Sequence, residues 1–181
     1  MHDARLGVKY RLSSWLVNRL STRQRVVLEE LTRTSLGKGW AGSGTHKDEV
    51  RAFLALLQPS DREQPVVLDV GANTGVWAHE LLTQAPGANV VCFEPSQKAF
   101  SELEMALGLD QRVVLVNAAV AGANGKVQLW TDEWGSGLAS LSKRRLDHFG
   151  REFNRVEEVD AVCLDAWVHK HVVNPVGIKL D

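Results

Sequence analysis

Val66-Val67-Leu68-Asp69-Val70-Gly71-Ala72-Asn73-Thr74-Gly75 is the stretch around which this 181-residue chain is organised. A short apolar run ends in a carboxylate, glycines follow at Gly71 and Gly75, and a helix-like segment extends from Val76 to Ala85. An apolar run of that length, bounded by glycine, is the pattern of a buried parallel strand turning sharply into a helix. The start of a helix leaves backbone N–H groups without intrahelical partners, and glycine lets a ligand approach them closely. The next apolar run, Val90-Val91-Cys92-Phe93, ends in Glu94. An acid about 20 residues beyond such a turn is where the ribose hydroxyls of a nucleotide are held. The two runs together predict a site for a nucleoside-bearing cofactor.

Outward from this pair, strand-like and helix-like segments alternate. Strand 66–70 leads into helix 76–85, and strand 90–93 leads through Pro95 and Ser96, a helix-capping pair, into a helix near 97–107. Strand 113–117 follows. This order predicts an α/β, Rossmann-like fold, a parallel sheet with flanking helices. Ala118–Ala121 and Val127–Trp130 then flank Asn124-Gly125, which reads as an inserted β-hairpin. Residues 131–155 are polar and irregular and hold the basic run Lys143-Arg144-Arg145. A strand over 156–164, a short helix over 165–169 and a strand beginning at Val176 complete the chain. A buried parallel strand is a poor place for a terminus, so the sequence is expected to be the front half of a longer, C-terminally continued domain.

Apolar residues make up 44% and charged residues 24%, the balance of an ordinary globular protein. No apolar run approaches the roughly 18 residues of a membrane span, and residues 1–20 lack the continuous apolar core of a signal peptide. A cytoplasmic location is therefore expected, with Cys92 and Cys163 as reduced thiols inside strands. The net charge of −1 conceals an asymmetry: residues 1–62 hold eleven Lys/Arg against six Asp/Glu, and residues 63–181 hold ten against sixteen. The chain accordingly divides into a basic helical extension with a glycine-rich linker over 1–62 and a cofactor-binding domain over 63–181. In the extension, Leu12, Trp15, Leu16 and Leu20, then Val26, Val27, Leu28 and Leu31, are spaced as amphipathic helices. Such helices dock on a neighbouring domain or a second copy, or lie on an anionic membrane or glycolipid surface. The tract Gly37–Gly44 lacks a Walker-type ending and reads as a linker or a lid carrying Trp40. A helix from about Lys47 to Gln58, with Val50, Phe53, Leu54 and Leu57 on one face, closes the extension.

Which cofactor follows from the glycines. A dinucleotide fingerprint counted from Gly71 needs glycines at 73 and 76, where this chain has Asn73 and Val76. NAD and FAD are therefore disfavoured. A strand-end acid, a tight glycine loop and no second phosphate cradle suit a ligand with an amino-acid head and one nucleoside, namely S-adenosylmethionine. On that reading Asp69 stands near the ammonium, the backbone from Gly71 to Gly75 receives the carboxylate, and Glu94 accepts both ribose hydroxyls.

Asp-Val-Gly-Ala-Asn-Thr-Gly, Phe-Glu-Pro-Ser, Val-Asn-Ala-Ala-Val and the late Leu-Asp and Ile-Lys-Leu-Asp together resemble the FkbM-type S-adenosylmethionine-dependent methyltransferases, over about residues 65–181. The resemblance implies a class I methyltransferase domain. It matches Asp69, Gly71, Asn73 and Gly75 to the first cofactor motif and Glu94 to the ribose acid. It further implies that Pro95 and Ser96 lie along the adenine ring and that Asn117 bonds the adenine edge. Asp181 corresponds to the acid beside the methyl donor and substrate, the catalytic candidate, with His46 and His79 as outsiders. Ser140 and Asp165 match weaker positions. Each residue also has an ordinary reading: Asp69 as a helix cap, Glu94 as a surface acid before proline, Asn117 as a turn residue, Asp181 as a strand-end carboxylate.

The activity so implied is O-methylation of a hydroxyl on a sugar, glycolipid or natural product. A non-catalytic or truncated cofactor-binding scaffold is the alternative, and an NAD-dependent oxidoreductase a more distant one. No metal is expected, since His169 and His171 have no Asp-rich or Cys-rich partner at ligand spacing. The six tryptophans form no base-stacking array and the chain is not basic overall, so nucleic acid is not an expected partner.

Overall fold

The computed structural model describes residues 45–57, 64–143, 153–171 and 173–181. The two amphipathic segments before residue 35, the glycine-rich tract with Trp40, and Arg144 and Arg145 lie outside the described residues.

Helix α1 (His46–Leu56) comes first, followed by β1 (Val66–Val70), α2 (Val76–Gln84), β2 (Asn89–Phe93), α3 (Gln97–Leu107) and β3 (Val113–Val116). Then come β4 (Ala119–Ala121), β5 (Gly125–Thr131), β6 (Arg155–Cys163), α4 (Leu164–His171) and β7 (Gly177–Leu180). Four strands form an all-parallel sheet in the order β3-β2-β1-β7. The order reverses between β1 and β7, and open α/β sheets bind ligands beyond the carboxyl ends of strands at such a switch point.

Both faces of this sheet are covered, which is why β1 and β2 read as continuous apolar runs rather than alternating ones. Val67, Val90 and Cys92 meet Val50 of α1, Trp77, Leu81 and Leu82 of α2, and Leu103 and Leu107 of α3. Leu68, Val91 and Phe93 form the opposite core with Val120, Val162, and Leu164, Trp167 and Val168 of α4. The compact unit begins at His46, upstream of the boundary expected near residue 63. The reason is packing: Val50 is fully buried and the Phe53 ring stands edge-on to Trp77, centroids 5.3 Å apart. A Cβ at Gly177 would run into the same Phe53 ring, so a side chain on β7 there would have to displace that ring.

The β-hairpin expected around Asn124-Gly125 does not form. Strand β6 lies between its two arms, parallel to β4 and antiparallel to β5, giving a second sheet of order β4-β6-β5. A two-residue type I′ turn needs positive φ at both central residues. Asn124 is not in that region, and Gly125, at φ 150°, is already the first residue of β5. Asn124 instead accepts a hydrogen bond from the Cys163 N–H through Oδ1 at 2.7 Å, tying the connection to the end of β6.

Candidate functional site

The turn after β1 is built on three left-handed residues, Gly71 (φ 82°), Asn73 (φ 49°) and Gly75 (φ 83°). A Cβ on Gly75 would sit 2.6 Å and 2.9 Å from the Cδ1 atoms of Leu103 and Leu107. Gly75 thus provides the close approach of loop to helix α3, and the chain needs no glycine at 76. The turn also consumes its own donors. Gly71 and Ala72 N–H both donate to Phe93 O at 2.9 and 3.0 Å, Gly75 N–H to Ala72 O at 2.8 Å, and Asn73 N–H to Glu94 Oε2 at 2.8 Å. The expectation that the backbone of Gly71–Gly75 is open to a ligand carboxylate therefore fails at these four amides.

Glu94 is buried at the tip of β2 and links two segments. Besides the Asn73 amide on Oε2, its Oε1 accepts from Ser96 N–H at 2.9 Å. Burial raises the Glu94 pKa more than these two donors lower it. Ser96 occupies the N-cap position of α3 but makes no capping hydrogen bond through its side chain. The Glu157 carboxylate accepts from the Gln97 N–H instead, at 3.1 Å. Asn117 donates through Nδ2 to Glu94 O at 2.8 Å and Pro95 O at 3.3 Å, so its amide donor fastens the β2 exit rather than facing a ligand.

Asp69 is fully buried, and Lys179 Nζ of the adjacent strand β7 lies 3.0 Å from its Oδ1. Among the described residues this ammonium is the one donor within reach of the Asp69 carboxylate, and its alignment is poor. Burial raises the Asp69 pKa despite the opposing pull of Lys179. Lys179 Nζ also lies 2.5 Å from Asp181 Oδ2, 3.4 Å from Gly71 O and 5.8 Å from the centroid of the Trp77 ring. Burial alone would depress the lysine, but the two carboxylates outweigh it and its pKa is raised. Sequence reasoning named both acids and missed the lysine between them. The signal was present in the Ile-Lys-Leu-Asp motif, but only the pairing of β7 with β1 puts Lys179 opposite Asp69.

A cavity of about 330 Å³ opens at the switch point, within the size range of small-molecule sites. Gly71, Asn73, Glu94, Pro95 and Asp181 line it, whereas Asp69, Gly75, Ser96 and Asn117 do not. Val70, Phe93, Ala118, Ala119, Val120 and Leu129 give it an apolar wall, and Ser136, Gly137, Ala139, Ser140 and Leu141 a small-residue one. The second wall hangs on β5 through reciprocal backbone hydrogen bonds between Trp130 and Ser140. Of the weaker sequence candidates, Ser140 reaches the cavity, while Asp165, His46 and His79 do not line it. His171 stacks on Trp167, and among the described residues no three His, Cys, Asp or Glu side chains are grouped to hold a metal. Among those residues, too, no helix is long and apolar enough to cross a membrane.

No family model matches the chain. A stretch of 77 residues is 34% identical to the 2-O-methyltransferase NoeI of Sinorhizobium fredii, covering 42% of this chain and 30% of that protein. A stretch of 95 residues is 36% identical to the AMB antimetabolite synthetase AmbE of Pseudomonas aeruginosa, covering 52% of this chain and 4% of that protein. Among solved structures, YjhP of Escherichia coli is similar over 45% of this chain and 37% of its own, at 15% identity and a TM-score of 0.32. The matches thus span less than a third of the length of either curated relative.

Proposed function

We propose that this chain carries the cofactor-binding part of an S-adenosylmethionine-dependent methyltransferase of the FkbM type, acting on a hydroxyl of a sugar, glycolipid or natural product. The observation that carries the reading is the set of acceptors around one switch-point cavity. Each Glu94 oxygen keeps a lone pair after its backbone donor. Asn73 Oδ1 is buried with no donor among the described residues, and Asp181 borders the same space. A vicinal diol and an ammonium are the donors these groups lack, and an adenosyl amino acid has both. The similarity to a 2-O-methyltransferase supports a hydroxyl as the acceptor.

When bound, the cofactor supplies a methyl group already activated on a sulfonium. The chain's own work is to bind, orient and keep water out. Glu94, held by the Asn73 and Ser96 amides, accepts from the two ribose hydroxyls. Asn73, whose side chain lines the cavity, would turn its Oδ1 to accept from the ammonium, and Thr74 with the first turn of α2 would be left to receive the carboxylate. Pro95 and the apolar wall from Phe93 to Val120 flank the base. Asp181 borders the cavity where an acceptor hydroxyl can give up its proton.

Titration calorimetry tests the reading. The chain should bind S-adenosylhomocysteine and prefer it to NAD. Preference for NAD, or no binding of either, refutes the methyltransferase assignment.

A further inference from the structure

Asp69, at the end of the first strand, is expected from sequence to stand near the cofactor's ammonium, directly or through water. It does not line the cavity, and the cation paired with it among the described residues is Lys179, which is only 15% exposed. The same ammonium reaches Asp181, whose side chain is 66% exposed and does line the cavity. Asp181 is close-packed on the loop as well. Its N–H donates to Val70 O at 3.1 Å, and a Cβ on Gly71 would meet the Asp181 Cβ at 3.2 Å.

Resting on the methyltransferase reading, we propose that Lys179 is a positioning residue that holds the Asp181 carboxylate at the cavity wall, and that Asp69 serves the site only through Lys179. A buried carboxylate is costly unless it is paired. Asp69 therefore fixes the lysine, and the lysine, shared between two acids, fixes the exposed one. The three charges sum to a single negative charge, and its outer end is Asp181. That end faces the space where a sulfonium would lie. The two nucleosides differ there, because S-adenosylmethionine carries one positive charge more than S-adenosylhomocysteine.

The pair Asp69→Asn/Lys179→Met separates positioning from charge, since it removes one charge of each sign and leaves the net charge of the group unchanged. Calorimetry with both nucleosides is run on the parent chain, on Asp181→Ala, on the pair, and on the pair combined with Asp181→Ala. In the parent, Asp181→Ala should lower the preference for S-adenosylmethionine over S-adenosylhomocysteine roughly tenfold, the effect of one charge near the sulfonium at intermediate dielectric. In the pair it should change that preference by less than about twofold, because an untethered Asp181 no longer holds its place. Equal effects in the two backgrounds overturn the positioning role while leaving the methyltransferase reading intact. A parent chain that binds neither nucleoside overturns both. If the pair does not fold, Asp69→Asn/Lys179→Gln, whose amides can bond each other, replaces it with the same expectations.

Discussion

Replacing Glu94 by Gln probes the clamp and the cofactor site in one step. In the folded chain the two carboxylate oxygens accept from different backbone amides, Asn73 N–H at 2.8 Å and Ser96 N–H at 2.9 Å. A glutamine offers one oxygen and one NH₂, so one amide is left facing a donor. Losing a charge-assisted bond of this kind and stranding a buried N–H costs about 1.5–3 kcal/mol. Part of this is recovered, because the ionised carboxylate is penalised by burial and its pKa is raised, whereas the neutral amide is not. A net loss of about 1–2 kcal/mol is expected, which for a chain of this size lowers Tm by roughly 2–8 °C. Affinity for S-adenosylhomocysteine should fall more, by roughly 10- to 100-fold, since one ribose hydroxyl loses a charged acceptor. Thermal unfolding and titration calorimetry on parent and variant read the two effects separately. Unchanged affinity would refute Glu94 as the hydroxyl acceptor, and an unchanged Tm would refute the two-amide clamp.

Gly75→Ala should cost about 2–4 kcal/mol, combining left-handed strain with overpacking against Leu103 and Leu107; urea unfolding measures it, and a loss below 1 kcal/mol, on that same scale, would show that the loop relaxes freely. Asp110, held at about 2 by hydrogen bonds from Arg112, should stabilise the fold fully above the ordinary carboxylate range and lose that contribution as pH falls toward its folded value. The stability curves of parent and Asp110→Asn should therefore converge toward acid pH, more closely in high salt; a constant gap between them would contradict the ion pair. Burial raises the Glu94 pKa, so its linkage has the opposite sign: it favours the folded state at acid pH, and that contribution is lost as pH rises through the folded value. Nucleoside affinity should rise over the same window as the carboxylate ionises, and this pH dependence should vanish in Glu94→Gln.

The sequence by itself determined the pieces that depend on near neighbours. The apolar runs 66–70 and 90–93, the glycine turn, helix α3 over 97–107 and the acid at Glu94 were all legible, because strand burial, left-handed turn residues and helix periodicity leave local marks. What only the tertiary structure decided depends on which distant segments pair. Register between β1 and β7 puts Lys179 opposite Asp69 and turns an expected ligand contact into an internal ion pair. The carbonyl of Phe93 and the carboxylate of Glu94 take up loop amides that looked open from the chain alone. Insertion of β6 between β4 and β5 overrides an Asn-Gly signal that is sound only when its flanking strands are neighbours. The small-residue wall from Ser136 to Leu141 carries no periodicity, so its place beside the cavity was fixed by its attachment to Trp130 rather than by its composition.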